Sequence, residues 1–223
     1  MYNELLFLLH IVVVSGGVIL AIRHSYGATV AVLSLQLIVA NLFVTKQIAL
    51  FGIATTCSEV FVVSGMYGVG LIASYYGPDK AARAVWITFG ALLFFVGMTQ
   101  FHAMYKGINA IESELLALMC ASTLRLCAAS LCAYLVSERV HLLFLKWLSC
   151  TLSLTIRRTL AVVAGQLVDT LVFAGIGLYG MVDHFTSIVC FGIAIKMIVI
   201  MVLAPIVAYT HRCVRLVREL DGE

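Results

Sequence analysis

Charged residues and prolines are scarce in this chain of 223 residues. Only 11% of its residues are charged and 63% are hydrophobic, whereas soluble domains average about 25% charged and 45–50% apolar residues. Two prolines, no charge-rich run and no repeat of fixed period leave no visible linker. We therefore expect a single domain, residues 1–223, embedded in a lipid bilayer.

The motifs of the common enzyme classes are also missing. No G-x-x-x-x-G-K-[ST] sequence is present, which excludes ATP hydrolysis by a P-loop, and neither H-E-x-x-H nor G-x-S-x-G occurs. The seven cysteines form no C-x-x-C pair and the six histidines no i, i+4 pair. The net charge is only +3, and the bases cluster at segment ends. The sequence thus predicts no enzyme, no cofactor, no metal and no nucleic-acid partner.

Apolar runs long enough to cross a bilayer, about 17–25 residues each, predict an all-α, polytopic helical bundle. Seven such runs lie near residues 5–22, 28–45, 53–74, 84–104, 115–137, 159–180 and 187–209. An eighth apolar stretch, 140–156, is interrupted by Lys146 and Trp147 and closed by Arg157 and Arg158. Because these residue types suit the headgroup level, we interpret that stretch as an interfacial helix.

The distribution of Lys and Arg predicts the orientation. With the N-terminus outside, ten bases fall in inside loops and two, Lys46 and Lys106, in outside loops, as the positive-inside rule requires. No base precedes the first apolar run, so that run is expected to be a retained helix and not a signal peptide. We expect a multi-pass protein of the cytoplasmic (inner) membrane with a cytosolic C-terminus.

Three charged residues lie within the predicted spans at a similar depth. Arg125, Asp169 and Lys196 each fall about nine or ten residues from the start of their span, roughly 15 Å at 1.5 Å per residue. A charge at mid-bilayer is costly, so such residues normally pair or line a pathway. They are expected to share one site, which is either a substrate site or an ion pair that only holds the bundle together.

One helical face carries the most informative polar set. Gln166, Asp169, Thr170 and Phe173 fall at i, i+3, i+4 and i+7. This face offers an amide, a carboxylate, a hydroxyl and an aromatic ring, which suits a small, flat, polar ligand. The alternative is that Asp169 simply neutralises Arg125.

Two further polar residues on other helices are candidates for the same site. Glu59, in the third span, is either a counter-charge, a proton carrier or a residue that reaches the outer headgroups. Asn41, in the second span, is either a ligand-binding group or interhelical packing.

Five segments in order resemble the queuosine precursor transporter family within the vitamin uptake transporters. They are ANLFVTKQIALFG (40–52), IASYYGPDKAARAVW (72–86), LRLCAASLCAYLVSE (124–138), AGQLVDTLVF (164–173) and IKMIVIMVLAPIVAY (195–209). The resemblance implies uptake of 7-deazaguanine bases, the 7-cyano or 7-aminomethyl forms or queuine, for tRNA modification. It also implies a six-helix core similar to the substrate-binding subunits of energy-coupling-factor transporters, to which the first span is an N-terminal addition.

The resemblance leaves the energy source and the assembly open. A binding subunit that depends on a separate ATPase module, for another small planar ligand, is the alternative to a stand-alone carrier, and a homo-oligomer is open too. The chain departs from the family pattern at Gly70 and Ser74, where the family often has acids. If Asp169 and Gln166 read the two N–H donors and the carbonyl of a deazaguanine edge, then Phe173 or a neighbouring aromatic residue is expected to stack on its ring.

Overall fold

Seven helices long and apolar enough to cross a membrane dominate the described part of the computed structural model. The structure describes residues 2–43, 47–50, 52–56, 58–105, 108, 124–148, 153–180 and 185–221. In chain order the elements are α1 (Tyr2–His24), α2 (Tyr26–Phe43), β1 (Gln47–Leu50), β2 (Ile53–Thr56), α3 (Ser58–Tyr75), α4 (Pro78–Ala103), α5 (Leu124–Trp147), α6 (Leu154–Phe173) with a π-helical turn at Ala174–Leu178, and α7 (Phe185–Asp221). The predicted all-α membrane bundle is confirmed.

Local sequence signals set the tight helix connections. Ser25 separates α1 from α2, and its Oγ accepts a hydrogen bond from the Ala28 amide at 3.1 Å, which caps the first turn of α2. Gly77 separates α3 from α4 with φ at 93°, in the left-handed region that glycine adopts without strain. Pro78 follows in the first turn of α4, where its missing N–H removes no helical bond. Both connections therefore force neighbouring helices to run antiparallel.

A short β-hairpin between α2 and α3 was not predicted. Its strands are antiparallel, with Leu50 opposite Ile53 and Gln47 opposite Thr56, and Gly52 in the turn has φ at 79°. The Asn3 side chain donates to the Ala49 carbonyl at 3.0 Å, which ties the start of α1 to the hairpin. Residues 53–56 belong to this hairpin, so the predicted third span at 53–74 begins too early.

The helix at the centre of the bundle is α3. Of its membrane span, 61% is buried inside the protein, compared with 33–39% for each other span. Small residues permit the close packing: an added Cβ at Gly68 would lie 2.5 Å from Leu33 on α2, and one at Gly165 on α6 would lie 2.5 Å from Met66 on α3. Small residues at helix contacts are the usual means of association in membranes.

The prediction that the fifth span ends at residue 137 and is followed by a separate interfacial helix is wrong. Leu124–Trp147 forms one continuous helix, so residues 140–147 end a membrane span and do not form a separate interfacial helix. Residues 109–123, part of the predicted span at 115–137, lie outside the described residues. No glycine or proline occurs between Gly107 and Gly165, so nothing in the sequence breaks a helix at Arg139. Within the described residues, seven helices are long and apolar enough to cross a membrane, which is the predicted number.

Candidate functional site

A buried ion-pair cluster joins α3, α6 and α7. The Lys196 ammonium on α7 lies 2.6 Å from Asp169 Oδ2 on α6 and 3.3 Å from Glu59 Oε2 on α3. The three side chains are 5%, 15% and 20% exposed, respectively. Lys196 lies near the middle of the Phe185–Tyr209 span, where an unpaired ammonium would carry a large desolvation cost. The two carboxylates offset this desolvation cost because each pairs with the ammonium.

The cluster contains one base and two acids, a formal charge of −1 when all three are ionised. The sequence predicted the opposite balance, two bases against one acid, because it counted Arg125 and treated Glu59 as a separate candidate. An excess carboxylate in a low-dielectric interior favours any ligand that supplies N–H donors or a positive charge. The reversed balance therefore changes which ligands the site suits.

Arg125 does not belong to this cluster. Its Nε donates to the Ile176 carbonyl and its Nη2 to the Tyr179 carbonyl, both at 2.6 Å. Ile176 is seven residues beyond Asp169, or about 10 Å along the helix. The side chain is exposed and closes the end of the π-helical turn, where a cation stabilises free carbonyls. The prediction that Arg125 shares a midplane site with Asp169 and Lys196 is therefore wrong.

The other members of the predicted α6 face point to separate neighbours. Gln166 is fully buried and its Nε2 lies 3.5 Å from the Met66 sulfur. The Thr170 hydroxyl donates to the Gln166 carbonyl within its own helix at 2.9 Å. Phe173 is half-buried beside Gly177, where an added Cβ would lie 3.9 Å from its ring. Asp169 alone of the four faces both the ion-pair cluster and the cavity described next.

A cavity of about 20 Å³ lies between α2, α3, α4, α5 and α6. Apolar side chains such as Leu33, Leu37 and Val69 form much of its wall, together with the aromatic rings of Phe61 and Tyr134. Its polar lining consists of Thr88, Tyr134, Ser137, Glu138 and Asp169. The volume is close to that of one water molecule. Two carboxylates on different helices, Glu138 and Asp169, thus face one small space.

Asn41 lies elsewhere and pairs with α5. Its Oδ1 accepts a hydrogen bond from the Ser130 hydroxyl at 2.7 Å, and its Nδ2 donates to the Leu37 carbonyl of its own helix at 3.0 Å. Neither Asn41 nor Phe173 is among the residues that line the cavity. Of the two roles the sequence left open for Asn41, the contacts match interhelical packing.

Besides the ion-pair cluster around Lys196, the bundle contains a buried polar pair on α5 that sequence reasoning missed. Glu138 is 2% exposed and His141 is 0% exposed, and Glu138 Oε2 lies 3.1 Å from His141 Nδ1. One turn earlier, Tyr134 lines the same cavity as Thr88 on α4. The spacing of Glu138 and His141, i and i+3 on one helix, was a usable signal. It was overlooked because the predicted span ended at residue 137.

The two positions that depart from the family pattern lie beside basic side chains. A Cβ at Gly70 would lie 3.5 Å from His141 Nε2, and Ser74 Oγ accepts a hydrogen bond from Arg158 Nε at 3.3 Å. Arg158 is 3% exposed. An acid at either position would therefore lie beside a basic side chain. In this chain the two positions hold a small residue, Gly70, and a neutral one, Ser74.

Comparisons with known proteins indicate a family of membrane transporters. The family model described as "Putative vitamin uptake transporter" matches residues 60–210. A protein of Bacillus subtilis (strain 168) named "Probable queuosine precursor transporter" is 25% identical over 146 residues. That match covers 63% of this chain and 64% of the relative, so the chain spans somewhat less than two thirds of the relative's length. No solved structure matches the chain.

Proposed function

Because this chain belongs to the vitamin uptake transporter family, we propose that it imports queuosine precursors, 7-deazaguanine bases used for tRNA modification, across the cytoplasmic membrane. The proposal is supported by the seven membrane spans and by the similarity to a protein named as a queuosine precursor transporter. The role is transport and not catalysis. We also propose, from the distribution of Lys and Arg, that the N-terminus lies outside and the C-terminus in the cytosol.

The observation that carries the proposal is the position of the Asp169 carboxylate. It is held by Lys196 through Oδ2 and it lines the cavity. A deazaguanine edge presents two neighbouring N–H donors, which carboxylate oxygens accept, and a carbonyl that requires a donor. The Asp169–Lys196 pair offers both chemistries side by side. Glu59 leaves the pair with an excess negative charge, which suits a ligand rich in donors.

The aromatic partner for the ring plane is better supplied by the cavity wall than by Phe173. Phe61 on α3 and Tyr134 on α5 line the cavity together with Asp169. Base faces stack on aromatic rings with a gain of about 1–3 kcal/mol. We therefore assign stacking to Phe61 or Tyr134, and contacts at the ligand edge to Asp169 and Lys196. Gln166 and Thr170 support the α6 wall from behind.

Binding requires the helices around the cavity to separate. Ligand pockets have volumes of about 300–1,000 Å³, far above the 20 Å³ found between α2 and α6. Alternating access in transporters is achieved when one group of helices moves against another around a central site. The compact cavity corresponds to a closed arrangement in such a cycle.

Direct binding tests this function. The purified protein in lipid nanodiscs is titrated with 7-cyano-7-deazaguanine, 7-aminomethyl-7-deazaguanine and queuine, with adenine as the control because it lacks the carbonyl and the donor pair. We expect saturable binding of at least one deazaguanine and none of adenine. Failure of all three to bind, or equal binding of adenine, would contradict the proposal. Uptake by proteoliposomes that contain this chain alone then separates a stand-alone carrier from a subunit that needs an ATPase.

A further inference from the structure

The Glu138–His141 pair on α5 is a buried ionisable site that the proposed ligand chemistry does not use. Both side chains are almost completely buried, and Oε2 of Glu138 lies 3.1 Å from Nδ1 of His141. A carboxylate acceptor at this distance places the imidazole proton on Nδ1. The other ring nitrogen, His141 Nε2, is buried and has no hydrogen-bond partner among the residues that the structure describes. Its lone pair is therefore available for a proton.

The side chains around the pair are mostly neutral. On α3, Gly70 lies against His141 Nε2, and on α6, Gly165 lies against His141 Cβ. On α5 itself, Tyr134 also lies near Glu138, and it lines the cavity together with Thr88 of α4. No cation other than His141 lies within ion-pair distance of Glu138 in the described part of the chain. Only protonation of the pair can therefore neutralise this carboxylate locally.

Two charged groups on α6 face the same interior. Asp169 lines the cavity opposite Glu138, but Lys196 already holds it. Arg158 bonds to Ser74, one turn beyond Gly70 on α3. Glu138 and Asp169 line the cavity. Together with Glu59 they make three acids, against two buried bases, Lys196 and Arg158. The imbalance favours uptake of a proton because unpaired buried charges are costly.

We propose that the Glu138–His141 pair binds the proton whose movement drives uptake of the substrate. This inference rests on the proposed function, since the proton is the driving ion for the same deazaguanine. The proton adds to His141 Nε2 from the outer solution, which converts the imidazole to imidazolium and leaves it paired with Glu138. It returns to cytosolic water from the same nitrogen after the substrate leaves. Chains of His, Glu and Asp inside membranes commonly relay protons in transporters.

The cavity supplies the physical link between proton and substrate. Glu138 forms one wall and Asp169 another, so both sites respond to the same separation of α5 and α6. When His141 is protonated, its imidazolium neutralises Glu138. The helices can then close around a neutral or donor-rich ligand without burying an unpaired carboxylate. With the pair unprotonated, closure over the ligand buries Glu138 without a cation. Movement of the proton is therefore coupled to movement of the substrate.

Proteoliposomes with the membrane potential clamped at zero test the coupling. The probe is 7-cyano-7-deazaguanine, which is uncharged. If one proton moves with each substrate, an exterior one pH unit more acidic than the lumen gives about tenfold accumulation, because a pH unit corresponds to a factor of ten. His141→Gln should still exchange labelled for unlabelled substrate but should lose this accumulation. His102→Gln, an exposed histidine at the end of α4, is the matched control and should retain it.

Accumulation that ignores the pH gradient in the unmodified protein, or that survives in His141→Gln, would overturn the inference. A second measurement applies if the His141→Gln variant fails to fold, or if the unmodified protein transports no deazaguanine. The ¹⁵N-histidine spectrum of the unmodified protein in nanodiscs is compared with that of a variant in which His141 is substituted. The signal that is missing from the variant's spectrum, or an independent assignment, identifies His141. We expect that signal to change when Nε2 gains or loses a proton and to shift in Glu138→Gln. A signal fixed in one protonation state would overturn the proton site, whereas absent substrate binding with a titrating His141 would overturn only the proposed function.

Discussion

The Lys196 ammonium donates to the Asp169 carboxylate at 2.6 Å across the contact between α6 and α7. Because Lys196 also pairs with Glu59 on α3, this one side chain connects the central helix of the bundle to two of its neighbours. The same pair presents a carboxylate to the cavity between α5 and α6. The proposed function therefore assigns ligand recognition to the same buried charges that hold the bundle together.

The first prediction concerns the stability that Lys196 provides. Lys196→Met leaves two buried carboxylates without a base, and breaking a buried pair in this way costs about 3–5 kcal/mol. We expect a marked fall in the temperature at which half of the protein remains monodisperse in detergent. Lys146→Met, at the exposed end of α5, is the control. An unchanged midpoint for Lys196→Met would show that the carboxylates do not need this base.

A triple variant separates the charge effect from lost packing. Glu59→Gln, Asp169→Asn and Lys196→Met together remove all three charges, so they should recover much of the stability lost in Lys196→Met alone. Replacement of a complete buried ion pair is often neutral, unlike loss of one partner. If the triple variant were no more stable than the single one, the loss would reflect the shape of the lysine side chain.

The second prediction concerns the contact between α3 and α6 at Gly165. An added Cβ there would lie 2.5 Å from Met66 Sδ and 3.1 Å from His141 Cβ. Met66 has a mobile side chain, but His141 Cβ is fixed to its backbone, so Gly165→Ala should destabilise the protein by about 1–3 kcal/mol, as overpacking does. Gly175→Ala, where nothing lies within 4 Å, is the control. Equal thermal midpoints for the two variants would contradict this packing.

The third prediction concerns Arg125, which bonds to carbonyls at the end of the π-helical turn. Arg125→Gln should lower stability by about 1.5–3 kcal/mol, the range for hydrogen bonds to charged groups, and leave the dissociation constant for a deazaguanine unchanged. Thermal stability and equilibrium binding are measured on the same preparation, with Arg23→Gln as control. A dissociation constant raised tenfold at unchanged stability would return Arg125 to the binding site.

The fourth prediction concerns orientation in the membrane. The ten-to-two split of Lys and Arg between predicted inside and outside loops predicts that the C-terminus lies in the cytosol. A fluorescent reporter that folds only in the cytosol, fused to the C-terminus, should be bright. A reporter active only outside the cytosol should be silent at the same position. The reverse pattern would contradict the orientation.

The helices could be predicted because each is a long apolar run, and the depth of Asp169 and Lys196 was enough to pair them. Arg125 was misplaced by the same method, because its depth was counted from residue 115. In the structure its side chain is exposed and bonds to carbonyls at the end of the π-helical turn. Nothing in the sequence marks the beginning of α5 near Leu124, since neither glycine nor proline occurs there. Depth counted along the chain therefore did not locate the Arg125 side chain.

The partners of the remaining site residues depend on side-chain contacts between helices that are distant in sequence. Asn41 bonds to Ser130, 89 residues away, and Gln166 contacts Met66, 100 residues away. A shared helical face predicts which side chains point the same way, but it does not predict which helix covers them. For this reason Thr170 and Phe173 were grouped with Asp169, although only Asp169 reaches Lys196 and the cavity.

The central claim is that the Asp169 carboxylate binds the substrate, and uptake by Asp169→Asn tests it most directly. The measurement is queuosine in the tRNA of a host that cannot make the precursor and is supplied with a deazaguanine base. Glu59 still neutralises Lys196 in this variant, so expression should persist. The amide turns an acceptor into a donor facing the ligand, a mismatch of about 1–3 kcal/mol, and with the altered charge balance uptake should be abolished. Thr170→Val should be milder, because that hydroxyl bonds only to its own helix. Normal uptake by Asp169→Asn together with lost uptake by Thr170→Val would contradict the account.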